Sequence, residues 1–273
     1  MPLPISIFII TRNEGDRLGR TLAAVRHLSD DIVVVDSGST DDTVAVAARF
    51  GARVIRNDWV GYGPQKRFAE EQCRHDWLLN LDADEVVQPR LAGAIAALFS
   101  AGPPPLALYR IRIKTVYPGR TRPRPLADTI APVRLYDRRR ARYSPSLTDD
   151  RVVGGKLPSA VLPGAVWHYS FRSMDHIRDK LEGYAALQVH EKVPGRSTLF
   201  LRTRLLTELP AQFLRYYLFR RHVTGGRVGA RYAFEHARAK RKRIERFLLA
   251  LKATPAAEIR PPPRRVDESE PAD

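Results

Sequence analysis

Residues 5–36 of this chain read ISIFIITRNEGDRLGRTLAAVRHLSDDIVVVD, and their pattern of apolar residues indicates the fold class. Ile5–Ile10 and Asp31–Asp36 are short runs rich in β-branched apolar residues, which is typical of strands buried on both faces. Between them, Asp16–Leu28 carries apolar residues at helical spacing. A strand, a helix and a strand in this order predict a crossover unit within a parallel sheet.

The same alternation continues through the first hundred residues. We expect a helix at Thr43–Phe50, a strand at Ala52–Arg56, a helix at Gln65–Arg74 and a strand at Trp77–Leu81. This order predicts an α/β fold, in which a mostly parallel sheet is flanked by helices. Such a sheet binds ligands at the carboxyl ends of its strands.

The pattern differs in the second half of the chain. Tyr109–Val116 alternates and predicts one half-exposed strand, and Val133–Tyr136 predicts another. Met174–His190 and most of the chain beyond Gly195 predict helices, with a break at Gly225-Gly226. The proline-rich, acidic residues 254–273 predict a disordered tail.

Charge is the most unusual feature of the composition. The 273 residues carry a formal net charge of +16, and residues 201–253 hold 14 Lys and Arg against 3 Glu. This balance predicts a polyanionic partner: a nucleic acid, an anionic membrane surface or a phosphorylated substrate. The single cysteine, Cys73, excludes an intrachain disulfide and a cysteine-cluster metal site. We expect neither a signal peptide nor a transmembrane helix.

Acidic side chains follow two of the predicted strands. Asp82 and Asp84 come directly after an apolar strand, with only Ala83 between them, and this pair suits Mg²⁺ or Mn²⁺ bridging a diphosphate. Asp41 and Asp42 lie in the loop after the second strand, where helix capping explains them as well as a role in the binding site does.

Several motifs in this order resemble glycosyltransferase family 2, and within it the bacterial lipopolysaccharide-core glucosyltransferases that modify inner-core heptose. The motifs are Ile9-Ile10-Thr11-Arg12-Asn13-Glu14, Val34-Val35-Asp36-Ser37-Gly38-Ser39-Thr40-Asp41, Gly61-Tyr62-Gly63-Pro64-Gln65-Lys66, Leu81-Asp82-Ala83-Asp84-Glu85, Val133-Arg134-Leu135-Tyr136 and His168-Tyr169-Ser170. The resemblance covers about residues 5–225. It implies a GT-A fold, a UDP-sugar donor, a divalent cation and an inverting transfer.

The resemblance also implies roles for individual residues. The residues that fall on nucleotide-sugar-binding positions are Thr11, Arg12, Asn13, Glu14, Asp36, Lys66 and Asp82. Asp84 falls on the metal ligand, and Asp82 faces the ribose or the metal. Lys66 lies near the donor diphosphate, where a cation would stabilise the leaving group as its charge develops.

An inverting transfer also needs a carboxylate that takes the proton of the acceptor hydroxyl. By resemblance, Asp150 falls on this acid, and Asp149 replaces the usual preceding His and is the second candidate. A loop carboxylate paired with Arg151 is the structural alternative for Asp150. His168 fits a residue that supports the site and a packed core residue equally well.

The resemblance implies an inverting, metal-dependent enzyme that moves a hexose, expected to be glucose, from a UDP-sugar to a membrane glycolipid such as the lipopolysaccharide inner core. UDP-galactose and UDP-N-acetylglucosamine are also compatible donors. We expect residues 1–105 to bind the donor, 106–193 the acceptor, and the basic helices of 194–253 the anionic inner-membrane surface, on its cytoplasmic face.

Two hypotheses from other classes of protein compete with the glycosyltransferase hypothesis. A polyanion- or nucleic-acid-binding protein would explain the charge but not Asp82 and Asp84, so we expect no specific nucleic acid. A membrane scaffold with a degenerate glycosyltransferase fold would explain the missing His before Asp150 but not the retained acidic pair. A nucleotidyltransferase would need a glycine-rich phosphate loop after the first strand, and TRNEGD is not such a loop.

Overall fold

The computed structural model describes residues 2–100, 102–147, 150–179, 181–182 and 198–253. Its contacts divide the chain into two compact units, Met1–Ser170 and Phe171–Asp273. The first unit contains the sheets, and the described residues of the second are mainly helical.

Four helices and thirteen strands form the first unit in its described residues. The helices are α1 (Gly15–Val25), α2 (Thr43–Arg49), α3 (Tyr62–Gln72) and α4 (Pro89–Ser100). The strands are β1 (Leu3–Thr11), β2 (Ser29–Asp36), β3 (Arg53–Arg56), β4 (Trp77–Asp82), β5 (Glu85–Val87), β6 (Leu108–Arg110), β7 (Ile113–Thr115), β8 (Thr129–Ile130), β9 (Val133–Asp137), β10 (Arg142–Tyr143), β11 (Val152–Val153), β12 (Ser159–Val161) and β13 (Val166–His168).

The central sheet has seven strands in the order β12-β6-β9-β4-β1-β2-β3. Strands β4, β1, β2 and β3 are mutually parallel, and β9 is antiparallel to both of its neighbours. Buried side chains alternate between the two faces of β1, with Ile7 and Ile9 in one core cluster and Phe8 in the other. The predicted α/β class with a mostly parallel sheet is therefore confirmed.

The prediction of one strand over Tyr109–Val116 is wrong. The segment forms β6 in the central sheet and β7 in a second sheet of order β5-β13-β7-β8. The antiparallel partner of the segment changes from β9 to β8 at the same place. Pro132 lies between these two strands and has no backbone N–H to donate to a ladder. The parallel partner of the segment changes from β12 to β13, and Pro163 and Gly164 lie between these two strands. The ladder therefore ends on both sides of the segment, and the chain passes from one sheet to the other.

The second unit has two long helices in its described part. Helix α5 (Thr198–Leu214) continues into a π-helical turn (Arg215–Phe219) and a 3₁₀ turn (His222–Gly225), and α6 spans Gly226–Ala253. The predicted break at Gly225-Gly226 is confirmed, since Gly226 has a φ of 58° and α6 starts there.

Part of the predicted helix Met174–His190 is also present. Residues 174–179 and 181–182 are helical, whereas 183–197 and the predicted tail 254–273 lie outside the described residues. Among the helices that the structure describes, none is both long and apolar enough to cross a bilayer.

Candidate active site

The carboxyl ends of β1, β2 and β4 lie side by side and form the edge on which the site is built. In the parallel register, Thr11 is opposite Asp36 and Ile10 is opposite Asp82. The last residues of these three strands and the loop that leaves β1 carry six of the seven residues predicted to bind the donor. Because the strands are parallel, residues far apart in the sequence meet at this edge.

Asp36 organises the loop that follows β2. Its buried carboxylate accepts hydrogen bonds from the backbone N–H groups of Gly38 (2.9 Å) and Ser39 (2.8 Å) and from the hydroxyl of Thr11 (3.2 Å). The Ser39 hydroxyl also donates to it. In this structure Asp36 therefore fixes the shape of the loop, and both of its carboxylate oxygens are engaged.

The loops after β1 and β2 are joined by side-chain hydrogen bonds. Asn13 accepts from the N–H of Thr40 (2.8 Å), and its own N–H donates to the hydroxyl of Ser39 (2.8 Å). Asp41 accepts from the N–H groups of Gly15 (3.1 Å) and Thr43 (3.0 Å), the first residues of α1 and α2, whereas the N-cap of α2 is Asp42, whose side chain makes no capping hydrogen bond. Arg12 is exposed beside these loops. The result is a braced, polar rim at the end of the sheet.

Asp82 lies between two buried cations. Its Oδ1 is 3.2 Å from Lys66 Nζ, and its Oδ2 is 3.1 Å from Arg134 Nη2. Burial alone would raise the pKa of Asp82, but Arg134 and Lys66 outweigh it, and the pKa falls below its usual range. About a third of the Asp82 side chain stays exposed, so this ionised carboxylate is accessible from solvent.

Lys66 is fully buried and joins Asp82 to Asp150. Its ammonium lies 2.8 Å from Asp150 Oδ1 and 5.0 Å from the centre of the Tyr143 ring. Burial would lower the pKa of Lys66, but the nearby Asp82 and Asp150 carboxylates raise it, so Lys66 is a permanent cation. The Asp150 side chain is 33% exposed, so it is open to an acceptor while Lys66 holds it.

Asp84 points to a different pair of partners. Its Oδ2 accepts from Arg17 Nη1 (3.0 Å), and its Oδ1 lies 3.1 Å from His168 Nε2. Burial raises the pKa of Asp84, but the hydrogen bond from His168 and the charge of Arg17 lower it further than burial raises it. The same contact raises the pKa of His168 above its usual value, against the effect of burial. Arg17 also binds Glu14, which links Asp84 to the loop after β1.

A divalent cation fits the donor groups at this edge. Ligand atoms of Asp82, Glu85 and His168 lie within 4.8 Å of one another. Two carboxylates and an imidazole suit Mn²⁺, and the carboxylate oxygens suit Mg²⁺. Glu85 is fully buried and already binds Arg134 and the N–H of Asp82, so the accessible oxygens are those of Asp82. Asp84 adjoins this group through His168.

The structure brings most of the predicted site residues to one edge. Asp82, Lys66 and Asp150 are in direct contact, and Asp84 is linked to Glu14 by Arg17. Asp149, the second candidate for the base, lies outside the described residues.

Three residues of this site have no role in the sequence-based prediction. They are Arg17, Glu85 and Arg134. Arg17 pairs with Asp84, and Arg134 pairs with both Asp82 and Glu85. Arg17 follows Glu14 by one helical turn, and Arg134 occupies the second position of the Val133–Tyr136 motif. Both arginines can be located relative to a motif in the sequence, but only the tertiary contacts show which carboxylate each of them binds.

Comparisons with known proteins identify the family of this chain. A family model described as Glycosyl transferase family 2 matches residues 6–159. An uncharacterized glycosyltransferase of Rickettsia typhi is 36% identical over 231 residues, which cover 81% of this chain and 79% of the relative. The lipopolysaccharide core biosynthesis glycosyltransferase LpsC of Rhizobium meliloti is 31% identical over 247 residues, covering 85% of this chain and 90% of LpsC.

A solved structure also matches part of the chain. Glucosyl-3-phosphoglycerate synthase from Mycobacterium tuberculosis, in complex with Mn²⁺, uridine diphosphate and glucosyl-3-phosphoglycerate, aligns with a TM-score of 0.33 and 25% identity. The match covers 43% of this chain and 45% of that enzyme. The family model and the relatives in Rickettsia and Rhizobium carry the assignment: the chain belongs to glycosyltransferase family 2 and is a glycosyltransferase.

Proposed function

We propose that this glycosyltransferase moves a hexose, with glucose the expected sugar, from a UDP-sugar to a membrane glycolipid of the lipopolysaccharide inner-core type, with inversion at the anomeric carbon. The observation that carries the proposal is the continuous contact from Asp82 through Lys66 to Asp150. It places a cation between a carboxylate of the donor edge and a partly exposed carboxylate suited to be a base.

The donor side of the proposal uses the polar rim at the end of the sheet. The rim residues Thr11, Arg12, Asn13, Glu14 and Asp36 would surround the nucleotide. Lys66 would lie near the diphosphate, and its buried positive charge would stabilise the negative charge of the departing nucleoside diphosphate. A Mg²⁺ or Mn²⁺ held by Asp82 and Asp84 would supply further stabilisation of that charge.

Asp150 is the proposed general base. A carboxylate in this role accepts the proton of the acceptor hydroxyl as the hydroxyl oxygen bonds to the anomeric carbon and the bond to the diphosphate breaks. The contact with Lys66 restricts the Asp150 carboxylate to one place at the site, and its exposure leaves room for the acceptor. Asp149 remains the second candidate from the sequence.

The acceptor assignment rests on the relative LpsC and on the charge of the chain. LpsC carries the name of a lipopolysaccharide core enzyme, and its match extends over 85% of this chain. A phosphorylated core glycolipid would supply the polyanion that a net charge of +16 predicts. We further propose that residues 1–105 bind the donor and residues 106–193 bind the acceptor.

The second unit supports a peripheral position on the cytoplasmic face of the inner membrane. Leu218 and Phe219 are 50% and 81% exposed in the turn after α5, and Arg220 and Arg221 follow them directly. Exposed apolar side chains beside arginines suit the interface of an anionic bilayer, where each basic residue contributes about 1 kcal/mol. Residues 194–253 would form this membrane-binding segment.

Titration calorimetry with UDP, with and without Mn²⁺ or Mg²⁺, tests the donor site first. We expect binding that depends on the metal, followed in a second assay by transfer from UDP-glucose to a heptose-containing core glycolipid detected by mass spectrometry. UDP-galactose and UDP-N-acetylglucosamine serve as competing donors. Absence of UDP binding with either metal would contradict the donor assignment, and transfer only to soluble acceptors would contradict the glycolipid assignment.

A further inference from the structure

An open cleft of about 660 Å³ lies beside the four-stranded sheet, at the start of α4. Its lining includes Gln88, Arg90, Arg112, Lys114 and Trp167. This volume is within the range of pockets that hold small molecules, about 300–1,000 Å³. None of the residues described above as the donor or base site lines it.

The cleft lies on the other face of the sheet from the acidic cluster. Successive residues of a strand point to opposite faces, and Trp167 is followed by His168 in β13. His168 contacts Asp84 in the active site, whereas Trp167 lines the cleft. Lys114 is the register partner of Trp167 in the parallel strand β7, so the two belong to the same face. Arg112, two residues earlier, lines the cleft with them.

The cleft has an uncompensated positive charge. The ten residues that line it include three cations and no carboxylate. Within the described parts of the chain, Arg90, Arg112 and Lys114 form no ion pair, and Arg112 donates instead to the carbonyl oxygen of Leu162 (3.1 Å). Three cations around one concave surface repel one another, and an anion between them removes that repulsion.

We propose that this cleft binds a phosphorylated sugar. Arg90, Arg112 and Lys114 would bind the phosphate, because arginine forks and a lysine ammonium both suit phosphate oxygens. The half-buried Trp167 offers an apolar surface against which the sugar ring packs. The Gln88 amide donates one N–H to the carbonyl oxygen of Val86 (3.0 Å), and its second N–H and its oxygen supply a donor and an acceptor for the sugar hydroxyls. The cleft is separate from the donor edge, so the proposal does not depend on the identity of the transferred sugar, although seven of the ten lining residues belong to the segment 106–193 that is proposed to bind the acceptor.

Trp167 provides the readout for a test on the full chain. The protein has three tryptophans, so the indole N–H signals form a small set, and the Trp167→Phe variant assigns the one at the cleft. We expect glucose 6-phosphate to shift the Trp167 signal in a saturable way at constant ionic strength. Glucose at the same concentration should leave it unchanged, and inorganic phosphate should bind at least about tenfold more weakly.

Two charge-removing variants test the assignment of the phosphate. Arg90→Ala and Lys114→Gln should each weaken glucose 6-phosphate binding by about tenfold, the loss of one charge-assisted hydrogen bond. Arg49→Ala, which removes an exposed arginine from helix α2, is the matched control and should bind as the parent does.

Three results would overturn the proposal: an unshifted Trp167 signal, equal affinity for phosphate and glucose 6-phosphate, or equal binding in the variants and the parent. Titration with UDP and Mn²⁺ in the same samples separates this result from the donor assignment. UDP should bind Arg90→Ala and Lys114→Gln as tightly as the parent. A shift of the Trp167 signal by UDP at concentrations below those of glucose 6-phosphate would reassign the cleft to the nucleotide.

Discussion

The ammonium of Lys66 lies 2.8 Å from the carboxylate of Asp150, although 84 residues separate them in the sequence. Lys66 has no exposed surface, and Asp150 is one-third exposed. A buried, permanent cation therefore fixes a carboxylate that solvent and an acceptor can reach. The same ammonium contacts Asp82, so a change at Lys66 acts on the donor edge and on the proposed base together.

Replacement of Lys66 by methionine keeps most of the side-chain volume and removes the charge. We expect kcat/KM for sugar transfer to fall by about 10²–10³, the cost of losing one preorganised group that stabilises developing charge. The free energy of unfolding should fall by about 2 kcal/mol, because Arg134 still pairs with Asp82. Transfer assays and chemical denaturation measure the two effects. Lys156→Met, at an exposed lysine, is the control, and equal activity of both variants would contradict the role of Lys66.

Asp84→Asn tests the metal assignment. We expect the affinity for UDP in the presence of Mn²⁺ to fall about a hundredfold, the upper range for disruption of residues that orient a metal site. Binding of UDP without metal should change little. Calorimetry measures both affinities, and a thermal melt checks the fold, since Asp84 also pairs with Arg17. Asp58→Asn, at an exposed aspartate, is the control. Unchanged metal-dependent binding would exclude Asp84 as a ligand.

Gly63 and Gly93 form a matched pair of helical glycines. A Cβ at Gly63 would overlap the carbonyl oxygens of Ser144 and Ser146, in the segment that leads to Asp150. A Cβ at Gly93 meets no atom within 4 Å. We expect Gly63→Ala to displace this segment and lower kcat by about a hundredfold, the effect of a misplacement of about 1 Å.

The control variant, Gly93→Ala, is expected to be more stable than the parent. Gly93→Ala should raise the free energy of unfolding by about 0.5–1 kcal/mol, because alanine restricts the unfolded chain and favours the helix. Steady-state kinetics and urea denaturation separate the two variants. A parent-like kcat in Gly63→Ala would mean that the segment adapts without moving the base.

Local sequence patterns were sufficient to predict the four parallel strands β1 to β4 and the three helices between them. The strands at Ile5–Ile10 and Asp31–Asp36 could be predicted because their apolar runs and the helix between them are local signals. The same patterns failed at Tyr109–Val116. Its alternation is regular, but its antiparallel partner changes from β9 to β8 at Pro132, which lies between those two strands and leaves no trace in the segment itself.

The site shows the same division between local and distant information. Asp82 and Asp84 follow an apolar strand and could be selected as ligands from their spacing. Arg17 and Arg134 come from distant parts of the chain, and their partners depend on how α1 and β9 pack against β4 and β5. A short motif identifies a carboxylate, but the charges that hold it ionised depend on tertiary structure.

His236 is expected to make the second unit sensitive to acid. Its ring stacks on Tyr216, with 4.8 Å between the centroids, and its Nε2 is buried with no hydrogen-bond partner in the described residues. Burial, with His222, Lys240 and Arg220 nearby, lowers the pKa of His236 to about 3. The unfolded chain binds a proton near the usual pKa of about 6.5, so the folded state loses stability as the pH falls from 6.5 towards 3.

His236→Phe keeps the aromatic ring and removes this titration. The parent should lose at most about 1.4 kcal/mol of stability for each pH unit within that window, and the variant should lose less. Urea denaturation followed by far-UV circular dichroism at pH 7.5 and pH 5 measures the difference. An equal loss in both proteins would show that other groups determine the acid sensitivity.

The turn after α5 provides the most direct test of membrane binding. Leu218→Ser with Phe219→Ser removes two exposed apolar side chains without changing the charge. We expect binding to vesicles of phosphatidylglycerol and phosphatidylethanolamine to weaken by about tenfold or more, because each buried CH₂ contributes about 0.8 kcal/mol. Val44→Ser, at an exposed valine of α2, is the control and should bind as the parent does. Sedimentation at two salt concentrations measures binding. If the double variant binds as well as the parent but loses binding in high salt, charge alone holds the protein to the surface and the turn does not insert.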